Sequence, residues 1–219
     1  MEKWMKNDLY IFENLIDEDI RHRNVSEISR KNNLPDMAVS LAQGQFLYLI
    51  AKIKNATRIL EIGTFVGYST IWLAKAIPDG GLVISLEYDE SYAKMARENI
   101  EYAGCSDRVK VVQGEAIDSL NKLIEEREEP FDMIFIDADK PNYSTYLELA
   151  LRLSKSGTVI YGDNVVRDGE LCNAENPDEK VIGVRSFIEE LGKSKIVEST
   201  ALQTVGIKGY DGFTLSVVK

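Results

Sequence analysis

A doubly wound α/β sheet preceded by helices is the fold the sequence predicts, on two observations. From Arg58 onward, short apolar, β-rich runs alternate with helical segments, which is the pattern of successive βαβ units in a mostly parallel sheet. The first run, Arg58 to Ile62, passes through a turn holding Gly63 and Gly67 into a helix start, where open α/β sheets hold their ligands. A length of 219 residues suits a single domain, 1–219, with a helical part at 1–56 and an α/β core at 57–219.

Taken in order, Leu9, Phe12, Leu15, Ile16 and Ile20 recur at helical spacing and predict an amphipathic helix from about Asp8. A shorter helix is expected around Val25 to Arg30. Ser40 and Gln43 fit the capping box, so a helix opens there, with Leu41, Phe46, Leu47, Leu49, Ile50 and Ile53 as its apolar residues. The predicted strands are Arg58 to Ile62, Leu82 to Glu87, Val109 to Gln113, Met133 to Asp137 and Thr158 to Tyr161. Ile71 to Ala74, and Tyr92, Met95, Ala96 and Ile100, mark the first two helices between them. After a helix from Gly183 to Leu191, strand-like runs at Lys195 to Glu198 and Gly212 to Val218, with Gly206, Gly209 and Gly212 between them, suit an antiparallel hairpin closing the sheet edge. The polar stretch Val165 to Asp178, with Gly169 and Pro177, reads as an active-site loop roofing a shallow, tolerant acceptor pocket.

Composition narrows the function. With 26 Lys and Arg against 36 Asp and Glu, the net charge of −10 disfavours a broad electrostatic footprint for nucleic acid or an anionic membrane. Cys105 and Cys172 are too few for a disulfide scaffold or a thiolate zinc site and read as free thiols. The only histidine, His22, is assigned a solvated structural role, so a histidine relay has no support. The segment Met1 to Asp8 lacks the apolar core of a signal peptide, and no run approaches the ~20 apolar residues of a membrane span, which predicts a cytoplasmic protein.

The glycine turn reads G-x-x-x-G. A dinucleotide fingerprint needs G-x-G-x-x-G, so an NAD-linked oxidoreductase is disfavoured. Glu61, just before the turn, would repel a pyrophosphate and suits a ligand carrying positive charge, such as S-adenosylmethionine. Glu87 ends the second strand, where a carboxylate can accept both hydroxyls of a ribose. Gly114-Glu115-Ala116 follows the third strand and is a weaker candidate for adenine contacts. Asp137, and Asp163 with Asn164, follow two successive apolar strands and so converge at one sheet edge. Two carboxylates and an amide oxygen, with no His or Cys beside them, make a hard oxygen site for a divalent ion such as Mg²⁺.

The whole pattern resembles the cation-dependent, class I S-adenosylmethionine O-methyltransferases, the family of catechol and caffeoyl-coenzyme A O-methyltransferases. The resemblance runs from about Met37 to Asp211-Gly212-Phe213-Thr214-Leu215. It implies a Rossmann-like seven-stranded sheet, mostly parallel with an antiparallel final strand, and a homodimer. It also implies that Asp137, Asp163 and Asn164 hold the metal (Mg²⁺, or Ca²⁺ or Mn²⁺) and that Lys140 is the catalytic lysine acting with Asp137. Met37 and Val39 would cover the methionine part of S-adenosyl-L-methionine, and Gly63, Tyr68, Ser69 and Glu87 would contact the cofactor. The implied reaction is methyl transfer to a catechol-like phenol, since two adjacent hydroxyls can chelate a cation and one of them then attacks in line. Two alternatives stand beside it. One is methylation of a hydroxylated tRNA base, for which Lys3, Lys6, Arg21, Arg23, Arg30 and Lys31 offer a local basic cluster; the other is a non-catalytic S-adenosylmethionine-binding module, which would have no use for Lys140 or the three metal-binding residues. Arg167 stands where the plant enzymes generally carry an aromatic, which counts against an acyl-coenzyme A acceptor.

Overall fold

The computed structural model describes residues 2–219; Met1, the first residue of the N-terminal segment read above, lies outside them. Three helices come first: α1 (Lys3–Leu15), α2 (Ile20–Lys31) and α3 (Leu41–Lys54). The apolar repeat from Leu9 to Ile20 is therefore shared by two helices. Its break is chemical, because Asp19 caps α2 by accepting from the Arg21 amide at 2.9 Å, so Ile20 begins the second helix rather than ending the first. None of the residues of α1 is buried, since periodicity aligns an apolar stripe without supplying anything to cover it. At α3 both halves of the capping box form, Gln43 N to Ser40 Oγ at 3.2 Å and Ser40 N to Gln43 Oε1 at 3.0 Å.

The core then alternates as expected: β1 (Arg58–Ile62), α4 (Tyr68–Ala76), β2 (Leu82–Glu87), α5 (Glu90–Tyr102), β3 (Val109–Gln113), α6 (Ala116–Glu125), β4 (Phe131–Ile136), α7 (Tyr143–Arg152), β5 (Ser154–Asp163) and α8 (Glu179–Lys193). The hairpin β6 (Val197–Gly206) and β7 (Gly209–Val218) completes the chain. All seven strands form one sheet in the order β3-β2-β1-β4-β5-β7-β6, in which only β7 runs against the others. The hairpin turns at Ile207-Lys208, with Gly206 opposite Gly209; Gly212 sits inside β7 opposite Gln203.

Side chains alternate across the sheet, so each strand feeds two cores. Ile59, Val83, Met133, Phe135 and Tyr161 pack with α3, α4 and α5 on one face. Leu60, Ile62, Ile84, Ile134 and Ile136 pack with α6, α7 and α8 on the other. His22 corrects the sequence reading: it is only 1% exposed, and its ring stacks on Trp72 of α4 at 4.2 Å. Burial and the nearby Lys75 charge push it down to about 3, so it is neutral at neutral pH. Only some residues of a helix face its neighbour, and in α2 those buried are His22 and Val25. Cys105 and Cys172 are free thiols. Among the described residues no helix is long and apolar enough to cross a membrane.

Candidate active site

Strand register brings the candidate residues level. Ile62 pairs with Leu86 on one side and Ile136 on the other, and Ile136 pairs with Gly162, so the residues just past β1, β4 and β5 share one edge. The strand order reverses between β1 and β4, which opens a crevice there. Gly63 lies in that crevice with φ of +104°, and a Cβ on it would stand 2.1 Å from the Asp137 carbonyl oxygen. No other residue fits this turn without pushing the two strand ends apart.

Glu87 holds the turn from β2. One carboxylate oxygen accepts from the amides of Thr64 at 3.2 Å and Phe65 at 2.7 Å, and the other from Asp89 at 2.9 Å. Burial raises its pKa while those three amides oppose the rise. The carboxylate still faces the cleft, and the oxygen that accepts only from Asp89 keeps acceptor capacity for a ribose hydroxyl. Glu61 differs from expectation. Its side chain points to the α4 face, is 0% exposed and accepts from the hydroxyls of Ser69, Thr70 and Ser85, each at 2.5 Å. Burial pushes it up to about 7 against the pull of these hydroxyls. Glu61, Gly67 and Gly114 frame the cleft without lining it: Gly67 caps α4 and Gly114 turns the chain after β3. Met37, Val39, Gly63, Tyr68, Ser69, Glu87, Glu115 and Ala116 do line it.

The cleft is large, about 1280 Å³. On the β2–β3 side its wall includes Phe65, Tyr88, Tyr92 and Ile117; on the β4–β5 side lie Asp137, Lys140, Asp163 and Asn164. Lys140 is 7% exposed, with Nζ 2.9 Å from Asp137 Oδ1 and donating to the Tyr143 hydroxyl at 2.7 Å. That hydroxyl lies 3.0 Å from the carbonyl oxygen of Ile136 and 2.9 Å from that of Asp163, tying the ends of β4 and β5 together. Gly183 of α8 sets the position of the lysine, since a Cβ there would come within 2.3 Å of the Lys140 carbonyl oxygen. Asp163 is 2% exposed, and its nearest side-chain donor is Gln43 Nε2 at 3.5 Å. Burial and then the Asp137 charge drive its pKa well up, while Lys140 opposes them. Asn164 has φ of +55°, a left-handed conformation that asparagine tolerates better than most residues.

These residues fit a hard divalent ion. Asp163 is buried, Asp137 is half-buried and paired with Lys140, and with the amide oxygen of Asn164 they offer the oxygen-only donor set such an ion takes. Among the described residues no group of three or more His, Cys, Asp or Glu side chains could hold a metal ion, so an ion here would need the amide oxygen of Asn164 or water as a further donor.

Several cleft residues were not readable in the sequence. Phe46, Tyr161 and Phe213 form an aromatic wall, with Tyr161 and Phe213 stacked at 4.8 Å and Phe46 tilted on Phe213 at 5.4 Å. The mouth is lined by Asp8, by Asp36 to Ser40 and by the hairpin tip from Thr204 to Gly209. The stretch Val165 to Asp178 does not roof the cleft: only Arg167 lines it, Val165 and Val166 are buried in the core, and Leu171 is tied to Arg185 of α8 at 3.2 Å. Apolar residues at the start of that stretch were the one sequence signal that it packs inward.

Comparison with known proteins agrees with this architecture. Residues 13–218 match the family model described as O-methyltransferase. A catechol O-methyltransferase from Niastella koreensis is 50% identical over 186 residues, 85% of this chain and 84% of that protein. One from Mycobacterium tuberculosis is 42% identical over 212 residues, 97% of this chain and 94% of that protein. The crystal structure of an O-methyltransferase from Bacillus cereus in complex with SAH has a TM-score of 0.97 to this chain at 50% identity, covering 99% of this chain and 98% of that one. A family match over nearly the whole length, a shared fold and relatives at half identity lead to one conclusion: this chain belongs to the O-methyltransferase family.

Proposed function

We propose that the protein transfers the methyl group of S-adenosylmethionine to a hydroxyl of a catechol-like phenol, with a divalent cation at Asp137, Asp163 and Asn164. The observation that carries this reading is the meeting of that oxygen donor set, Lys140 and an aromatic wall beside the Gly63 turn. When bound, S-adenosylmethionine supplies an electrophilic methyl sulfonium, and a cation such as Mg²⁺ (or Ca²⁺ or Mn²⁺) supplies positive charge that favours a deprotonated acceptor oxygen.

The chain's own residues do the rest. Glu87 accepts the ribose hydroxyls, Met37, Val39, Tyr68 and Ser69 enclose the methionine part, and Glu115 and Ala116 flank the adenine. Phe46, Tyr161 and Phe213 offer an apolar face on which a phenol ring can lie, fixing it toward the methyl. Lys140 is placed to take the acceptor proton at Nζ, and Asp137 and the Tyr143 hydroxyl, which bond that nitrogen, hold it in position. The relatives named as catechol O-methyltransferases support the acceptor class. The exposed apolar residues Trp4, Leu9, Ile11 and Leu15 of α1 support a homodimer.

A methyl-donor assay over catechols, monophenols and hydroxylated tRNA, with and without EDTA, tests the reading. Catechols are expected to be methylated in preference to monophenols, EDTA to abolish transfer and Mg²⁺ to restore it. Full activity after rigorous metal removal overturns the cation, and efficient methylation of tRNA with no catechol turnover overturns the acceptor.

A further inference from the structure

Four cationic side chains line the cleft, and one of them is unlike the rest. Lys140 bonds Asp137, Lys208 pairs with Asp36, and Lys180 lies exposed at the start of α8. Arg167 forms no ion pair or side-chain hydrogen bond among the described residues, and its Nε is buried without a partner. A buried guanidinium donor with nothing to bond is costly unless something in the working complex bonds it.

The backbone holds that side chain in place. Arg167 and Asp168 have φ of +54° and +56°, and Gly169 follows at +89°, three consecutive residues in the left-handed region. Non-glycine residues stay there only where their surroundings hold them. Here Asp211, at the start of β7, accepts from the amides of Val166 at 2.9 Å and Arg167 at 3.0 Å, while the Asp168 amide donates to the Tyr210 carbonyl at 3.2 Å. Arg167 stands three residues beyond Asn164 in the chain and lines the same cleft as Asp163, Asn164 and Asp211, so it belongs with the residues assigned above to the acceptor.

Resting on the methyl-transfer reading above, we propose that Arg167 is a specificity-determining residue that binds a carboxylate on the acceptor, so that the preferred phenols are catechols carrying a carboxylic acid on the ring or on a short side chain. A planar guanidinium matches a carboxylate through two parallel N–H donors. Asp8, Asp36 and Asp211, which also line the cleft, favour a singly charged group over a phosphate ester.

The test compares protocatechuate with neutral 4-methylcatechol on the wild type, Arg167→Met and Arg167→Lys, each checked for folding by circular dichroism. Calorimetry of protocatechuate and of S-adenosylmethionine runs alongside. The wild type is expected to favour the acid, and Arg167→Met to lower the acid-over-neutral ratio of kcat/KM by roughly 10–100-fold, the scale of a lost charged hydrogen-bond pair, mainly through KM. Arg167→Lys is expected to recover part of that ratio. Methylation of 4-methylcatechol with no preference for the acid, or an unchanged ratio in Arg167→Met, overturns the Arg167 assignment and leaves methyl transfer standing. Binding of protocatechuate that depends on Arg167, without methylation of any catechol, overturns the methyl-transfer reading alone. A loss confined to S-adenosylmethionine binding reassigns the guanidinium to the cofactor and overturns the proposal.

Discussion

Lys140 shows what one side chain owes to its surroundings. Its Nζ is held between Asp137 and the Tyr143 hydroxyl, and the backbone that carries it rests against Gly183. Replacing it with methionine keeps much of the packing and removes only the nitrogen. Turnover in Lys140→Met is expected to fall by roughly 10²–10⁴-fold, the range for general-base catalysis, with KM little changed and a rate that climbs more steeply with pH. Steady-state kinetics from pH 6 to 9 check this; normal turnover at neutral pH removes the lysine from the mechanism. At this scale the sequence was legible where an acid or amide ends or follows an apolar strand, since Asp137, Asp163 and Asn164 all line the cleft as their positions suggested. It was misleading at Glu61, because whether a strand-end carboxylate faces the cleft or the neighbouring helix depends on strand parity relative to a sheet not yet built. The role of Tyr143 left no signal, since it lies in donating to the Asp163 carbonyl 20 residues further along the chain.

Among the elements, the β6–β7 hairpin was seen in outline and misjudged in extent. Its strands run ten residues each, but most of β6 is exposed and its polar and apolar residues do not alternate, so no pattern marks where it begins or ends. The hairpin tip reaches the mouth of the cleft, where Asp8 of α1 accepts from the Ile207 amide at 2.7 Å and Asp36 pairs with Lys208. The hydrogen bond contributes about 0.5–1.5 kcal/mol and the exposed ion pair about 0–1 kcal/mol, too little to matter for the fold as a whole but enough to hold a tip in place. Asp8→Ala is therefore expected to speed protease nicking at Ile207-Lys208 by roughly 2–10-fold while the urea midpoint barely moves. A midpoint that drops sharply, or unchanged nicking, contradicts the tie.

For the molecule as a whole, alternation of strand and helix made the doubly wound core readable, because each βαβ unit leaves its own periodicity. Strand order was not readable, since it depends on pairings across long separations; the family resemblance supplied the strand count and the antiparallel final strand, and the order came with the structure. Buried charge now sets how stability responds to pH. Glu61 sits at about 7 in the fold against an ordinary 4.5, so between those values the folded state binds the extra proton and stability falls as pH rises, levelling off above 7. His22, held at about 3 against 6.5, acts the other way and loses stability as pH falls below 6.5. In the shared window the two slopes oppose each other. Glu61→Gln removes one of them, so its stability relative to the wild type is expected to rise by on the order of 1–3 kcal/mol from pH 5 to pH 8. Urea titrations at the two pH values measure this, and parallel behaviour of the two proteins refutes it. The tie between Asp8 and Ile207 carries one last consequence, because its partners are separated by 199 residues. On a ribosome adding ~5–20 residues per second, α1 emerges roughly 10–40 s before the strand that receives it. During that interval its uncovered apolar stripe is open to chaperones, and the rim of the cleft is among the last parts of the nascent chain to be completed.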